Sequence, residues 1–119
     1  MSNQEIALMA HLMRRAGFGA PRAELEVRLA KGYEATVEEL LHPEDQEPVD
    51  FYRFLRYHPN QWKPGTLAGI GHSGWVYRML NTQAPLQEKT ALFWHQVFAT
   101  GVSKVDHWHE VTNMVDTFR

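Results

Sequence analysis

The chain contains no cysteine. That absence excludes disulfides, thiolate metal sites, iron–sulfur clusters and cysteine nucleophiles, and it is compatible with a reducing compartment. A surplus of one charge sign is also missing: twelve Lys and Arg stand against fourteen Asp and Glu, a formal net charge of −2. Residues 1–60 carry seven basic and ten acidic side chains, and residues 61–119 carry five and four. No stretch therefore has the basic face on which phosphate-backbone binding or a polybasic membrane anchor depends, so neither nucleic acid nor a charged membrane surface is an expected partner. No apolar run approaches the ~20 residues of a membrane span, and residues 1–10 hold no signal-peptide core. The expected location is cytoplasmic. Alternation of apolar and polar residues is too brief anywhere to specify a strand, and neither an internal repeat nor a low-complexity tract is found.

What is present reads as helix. Ser2 followed by Glu5 has capping-box spacing, and Ile6, Leu8, Met9, Ala10, Leu12 and Met13 form one apolar arc opposite His11, Arg14 and Arg15. Gly17-Phe18-Gly19 supplies a left-handed stop, and Pro21 restarts a helix that runs to about Lys31 and buries Leu25, Val27 and Leu29. Gly32 ends it. Thr36 and Glu39 have the spacing of a further capping box, opening a short helix with Val37, Leu40 and Leu41. Residues 42–50 form an acidic, proline-bearing loop, and Phe51 to Tyr57 a short aromatic segment. His58 to Gly74 reads as an irregular connector; its Gly69-Ile70-Gly71-His72-Ser73-Gly74 lacks the preceding strand and the Lys of a phosphate loop. A helix follows from Trp75 to about Thr82. Another, Pro85 to Thr100, is closed by Gly101 and has Leu86, Phe93, Trp94, Val97 and Phe98 around more than half its circumference. Asp106 caps a last helix with Trp108, Val111, Val115 and Phe118 on one face. The expected fold is all-α, an irregular assembly of six or seven helices.

A length of 119 residues suits one domain and buries about two thirds of the unfolded surface. A helix as apolar as Pro85–Thr100 calls for cover on several sides, and the final helix has no Gly, Asn or Pro to close it. Residues 1–119 are therefore expected to be a single helical segment from the N-terminal part of a larger domain, packing against the remainder of its own chain or another protein.

Two runs carry a family likeness. His11-Leu12-Met13-Arg14-Arg15-Ala16-Gly17-Phe18-Gly19, followed in order by Pro85-Leu86-Gln87-Glu88-Lys89-Thr90-Ala91-Leu92-Phe93-Trp94-His95-Gln96-Val97-Phe98-Ala99-Thr100, closely resembles the bacterial family called domain of unknown function 1800. Trp75, Arg78 and Met79 before the second run, and Lys104-Val105 after it, fit as well. Members are several times longer, so the likeness covers this chain and the N-terminal part of the family. A second His that the family often shows two residues after the first is Val97 here. The resemblance implies a mostly helical protein without an established activity, and it supplies no catalytic residue.

Seven histidines are the most suggestive chemistry: His11, His42, His58, His72, His95, His107 and His109. His107 and His109 are a candidate metal pair if the backbone is extended there, but they diverge by about 200° on a helix, and no tight metal site is expected. Glu88 and His95 are too far apart on one helix to bond directly, yet with His11 they could line a pocket for acid–base or metal chemistry. The plainer alternative places His95 on a polar strip, hydrogen-bonded to a neighbouring helix. Arg14 and Arg15 are expected to pair with Glu24, Glu38 or Glu39. The acidic second and third helices exclude a DNA-binding helix-turn-helix. Ser73 and Ser103 have no adjacent base, so a serine hydrolase has no support. Trp62, in a loop, is the one tryptophan expected to be an exposed contact. No cofactor is specified by any motif.

Overall fold

The computed structural model describes residues 2–56, 67–99, 105 and 108–119. Among these there are seven α-helices, one 3-10 turn and no strand: α1 Asn3–Ala16, α2 Arg22–Lys31, α3 Tyr33–Leu41, the 3-10 turn Pro43–Asp45, α4 Phe51–Arg56, α5 Leu67–Asn81, α6 Pro85–Val97 and α7 Trp108–Thr117. The all-α multi-helix expectation holds.

α1 starts where its chemistry requires. Ser2 N donates to Glu5 Oε2 at 2.7 Å while Glu5 N donates to Ser2 Oγ at 3.2 Å, a reciprocal cap that satisfies two orphan donors. These bonds lower the Glu5 pKa, the backbone bond from Ser2 most. The buried face of α1 is Met9, Met13 and Ala16; with Leu25 and Leu40 they form the core cluster, and Leu29 and Leu86 pack against it. Leu8 lies off that face and is exposed, as is Val27.

One local expectation is narrowed to a single residue and two are corrected. The left-handed residue after α1 is Gly19, at φ +92°, while Gly17 is extended. Gly17 is needed for space instead: a Cβ there would stand 2.9 Å from Pro85 Cβ, so the end of α1 lies directly on the start of α6. Next, Thr36 is not an N-cap. Gly32, at φ +107°, both ends α2 and begins α3, so Thr36 falls inside α3, fully buried, with its hydroxyl donating to Gly32 O at 2.8 Å. Glu39 is drawn to Lys31 and Arg28 across the α2–α3 corner. Finally, the glycine-rich stretch from Gly69 to Gly74 is helix, the first half of α5. Gly74 makes this possible by admitting α4: a Cβ at Gly74 would meet Phe51 Cζ at 2.9 Å. Phe51, Phe54 and Tyr77 form an aromatic group between these helices, with centroids 5.1–6.3 Å apart.

α6 is central in its contacts, though not covered on all its apolar sides. It touches α1, α3, α5 and α7. The molecule is elongated, 53 × 31 × 24 Å with a radius of gyration of 16.8 Å, against about 13.5 Å for a compact domain of this length.

Candidate functional site

The site is built on α6, and α6 is turned the opposite way from its apolar pattern. Ala84, just before the helix, and Glu88 and Ala91 within it are buried, and His95 is half-buried. At 100° per residue these four form one narrow stripe. The large side chains lie outside it: Phe93 is 56% exposed, Trp94 40%, Val97 53% and Phe98 56%. A helix this apolar would be expected to bury Trp94 and Phe98 and to leave His95 on the polar strip; the structure does the reverse. The reason is geometric. The approach of α1 to α6 needs a small residue, Gly17, against Pro85, and the α5 side presents Trp75, whose Nε1 bonds Glu88 and whose ring meets His95.

Glu88, 2% exposed, is the centre of that stripe and the only acid between Pro85 and Thr100. Arg119 Nε donates to its Oε1 at 2.8 Å, and Arg119 Nη2 to its Oε2 at 3.1 Å. Trp75 Nε1 donates to the same Oε2 at 3.2 Å. A buried carboxylate requires such donors. Gln87 Nε2 also donates to Arg119 O at 3.4 Å, and Arg119 is paired in addition with Asp116. His95 meets Trp75 edge-on, centroids 5.0 Å apart and rings at 88°. Its Nδ1 is buried without a hydrogen-bond partner, so the expected bond to a neighbouring helix is replaced by a ring contact.

Of the residues singled out in the sequence, the fold thus brings Glu88 and His95 around one indole. His11 is exposed on α1 and makes no hydrogen bond or ion pair with either. Among the described residues no three His, Asp or Glu are grouped to hold a metal ion. His107 and the side chain of His109 lie outside the described residues, as do His58, Trp62, Ser103 and Asp106. Arg14 and Arg15 are exposed and do not take the expected acids: Glu24 and Glu39 pair with Arg28, and Glu38 approaches His42. What holds the end of α1 is Lys89, whose Nζ donates to Arg14 O at 2.5 Å and Gly17 O at 2.6 Å. Trp75 and Arg119 were not foreseen as Glu88 partners. The available signal was a lone acid within an apolar helix, which has to find donors; the partners' distance in sequence hid which ones.

A cleft of about 150 Å³ opens beside this group, between the turn after the 3-10 segment, the end of α5 and the start of α6; Gln46, Glu47, Arg78, Gln87 and Glu88 are among its lining residues.

Fold and site together define, among the described residues, an all-helical unit organised around a buried carboxylate, with the aromatic residues of α6 displayed outward. The family model "Protein of unknown function (DUF1800)" matches residues 11–119, and the chain belongs to that family, whose name assigns no activity. No curated protein and no solved structure matches it. No helix among the described residues is long and apolar enough to cross a membrane.

Proposed function

We propose that the chain is a helical packing segment that presents the outer side of α6 to a further apolar polypeptide surface, in its own chain or in another protein. One observation carries this reading: Phe93, Trp94, Val97 and Phe98 are exposed together while small and polar residues fill the inner stripe. Contiguous apolar patches of this kind mark contact surfaces on soluble proteins. Ring contacts run from Phe93 to Trp94, on to Phe98 and then to Phe118 of the α7 end, with centroid separations of 5.2–5.9 Å, so the patch is preordered rather than scattered. A cytoplasmic setting without nucleic-acid partners belongs to the same proposal and rests on the balanced charge and cysteine-free composition.

Light scattering at several concentrations, with a hydrophobic dye alongside, tests it. The 119-residue chain is expected to self-associate or bind dye, and Phe93→Ser with Val97→Ser to reduce both. A monodisperse, dye-silent monomer would remove the reading.

A second reading, a segment of a hydrolytic or metal-dependent enzyme using His11, Glu88 and His95, has one observation in its favour: the unpartnered buried Nδ1 of His95. Against it, both Glu88 oxygens already accept hydrogen bonds, which leaves that carboxylate poorly suited to move protons. Zinc titration followed by calorimetry distinguishes the two, since stoichiometric binding lost in His95→Ala would favour the enzyme.

A further inference from the structure

Three arginines are sheltered from solvent: Arg28, Arg78 and Arg119. Arg28 pairs with Glu24 and Glu39, and Arg119 with Glu88 and Asp116. Arg78 has no carboxylate partner among the described residues. It also lines an open cleft. A guanidinium keeps its charge at any accessible pH, and a partly desolvated one gains most from a carboxylate that matches its fork. We propose that the cleft binds a small monocarboxylic acid, its carboxylate taken by Arg78.

The surroundings of Arg78 fit that role. Its guanidinium carbon sits 4.8 Å from the centroid of the Phe51 ring, a cation–π contact that restrains the group without using up its hydrogen-bond donors on a carboxylate. The cleft is about 150 Å³, room for roughly five water molecules at liquid density, which suits an acid of a few carbons. Gln46 and Gln87 contribute amides, able to donate or accept, for a hydroxyl or carbonyl next to the carboxylate. Pro48 and Val49 supply an apolar wall. Two further carboxylates set the charge that is tolerated. Glu88 is neutralised by Arg119, but Glu47 is exposed on the lining and has no cationic partner among the described residues. One added negative charge is balanced by Arg78, whereas a second would face Glu47. Dianions such as phosphate are therefore disfavoured.

The test is a titration of the ¹⁵N-labelled 119-residue chain with lactate, following the Arg78 side-chain N–H and the Gln46 and Gln87 amides, with chloride and phosphate in parallel at matched ionic strength. Saturable shifts at those groups are expected with lactate in the millimolar range, with phosphate at least about tenfold weaker and no saturation by chloride. Arg78→Lys keeps the charge and loses the fork, and should weaken lactate about tenfold. Glu47→Gln removes an exposed acid with no cationic partner among the described residues, so the fold is unaffected; lactate should tighten several-fold and phosphate more than lactate. An acetylated tripeptide, with the same carboxylate on a body too large for the cleft, should bind more weakly than lactate. The proposal is overturned by linear shifts with lactate, by equal saturation with chloride, by tighter tripeptide binding, or by a Glu47→Gln affinity equal to the parent's.

Discussion

Arg119 closes on Glu88 with two parallel hydrogen bonds, Nε to Oε1 at 2.8 Å and Nη2 to Oε2 at 3.1 Å. The pair joins the end of α7 to the buried stripe of α6, and both side chains are largely sheltered, at 11% and 2% exposure. Forming such a pair from solvated ions gains little, but breaking it strands a buried charge. Glu88→Ala and Arg119→Ala should therefore each cost about 3–5 kcal/mol. The Glu88→Met, Arg119→Met double variant should recover most of that loss. Urea unfolding of the four proteins decides it; single variants within about 0.5 kcal/mol of the parent would show the fork to be unimportant.

The inversion of α6 makes a sharper contrast. Ala91 is fully buried, so Ala91→Leu has no space to enter and should cost about 1–3 kcal/mol by overpacking. Phe93→Ala and Val97→Ala, on the exposed side, should stay within about 1 kcal/mol. Thermal unfolding of the three variants reads the orientation of the helix directly. A Phe93 variant more damaged than the Ala91 one would mean that the apolar side faces inward after all.

The contrast also marks where sequence reasoning succeeds. The Ser2–Glu5 cap and the Gly32 break were legible because each depends on residues within a few positions of each other. So was the helical character of Pro85–Val97. Its inner face was not, because apolar periodicity assumes that the largest side chains seek the interior. Here the inner face is decided by what α1 and α5 bring to it, namely Gly17 and Trp75, and neither contact can be seen from α6 alone. The glycines between Gly69 and Gly74 misled in the same way. They lower intrinsic helix propensity, yet Gly74 is required by the approach of Phe51. In the candidate site, Glu88 and His95 were identified individually; Trp75 and Arg119 had to be found by the fold, from 13 and 31 residues away.

Gly17 and Gly19 stand two residues apart and should fail for different reasons. Gly17→Ala would place a Cβ 2.9 Å from Pro85 Cβ and 3.2 Å from Met13 O, both on rigid groups, so helices α1 and α6 must separate. A loss of about 1–3 kcal/mol is expected. Gly19→Ala meets nothing within 4 Å but holds φ at +92°, a conformation that costs a side chain about 1–2 kcal/mol. Replacing Pro85 by Gly, which removes the opposing Cβ, should relieve part of the loss in the Gly17→Ala background and none of it in the Gly19→Ala background. Denaturant unfolding of these variants checks it, and equal rescue of both would show that crowding against Pro85 is not the cause.

Acid should weaken the α2–α3 corner through Glu39. Its hydrogen bond with Lys31 is the largest influence and lowers its pKa below the ordinary 4.5; burial is the next and opposes it, and the charges of Lys31 and Arg28 lower it further. A carboxylate whose folded pKa is depressed contributes its stabilisation in full above the unfolded value and loses it as pH falls through the folded one. Stability attributable to Glu39 should thus be constant at neutral pH, begin to fall near 4.5, and vanish below the depressed value. Arg28 is the buried partner left without full compensation when Glu39 is protonated, while Glu24 remains beside it at 2.8 Å and limits the damage. Glu39→Gln keeps the shape and removes the ionisation, so it should lower the melting temperature more at pH 7 than at pH 3. Melting curves of the parent and variant across pH 3–7 make the comparison, and a gap that widens toward low pH would reverse the sign of the argument.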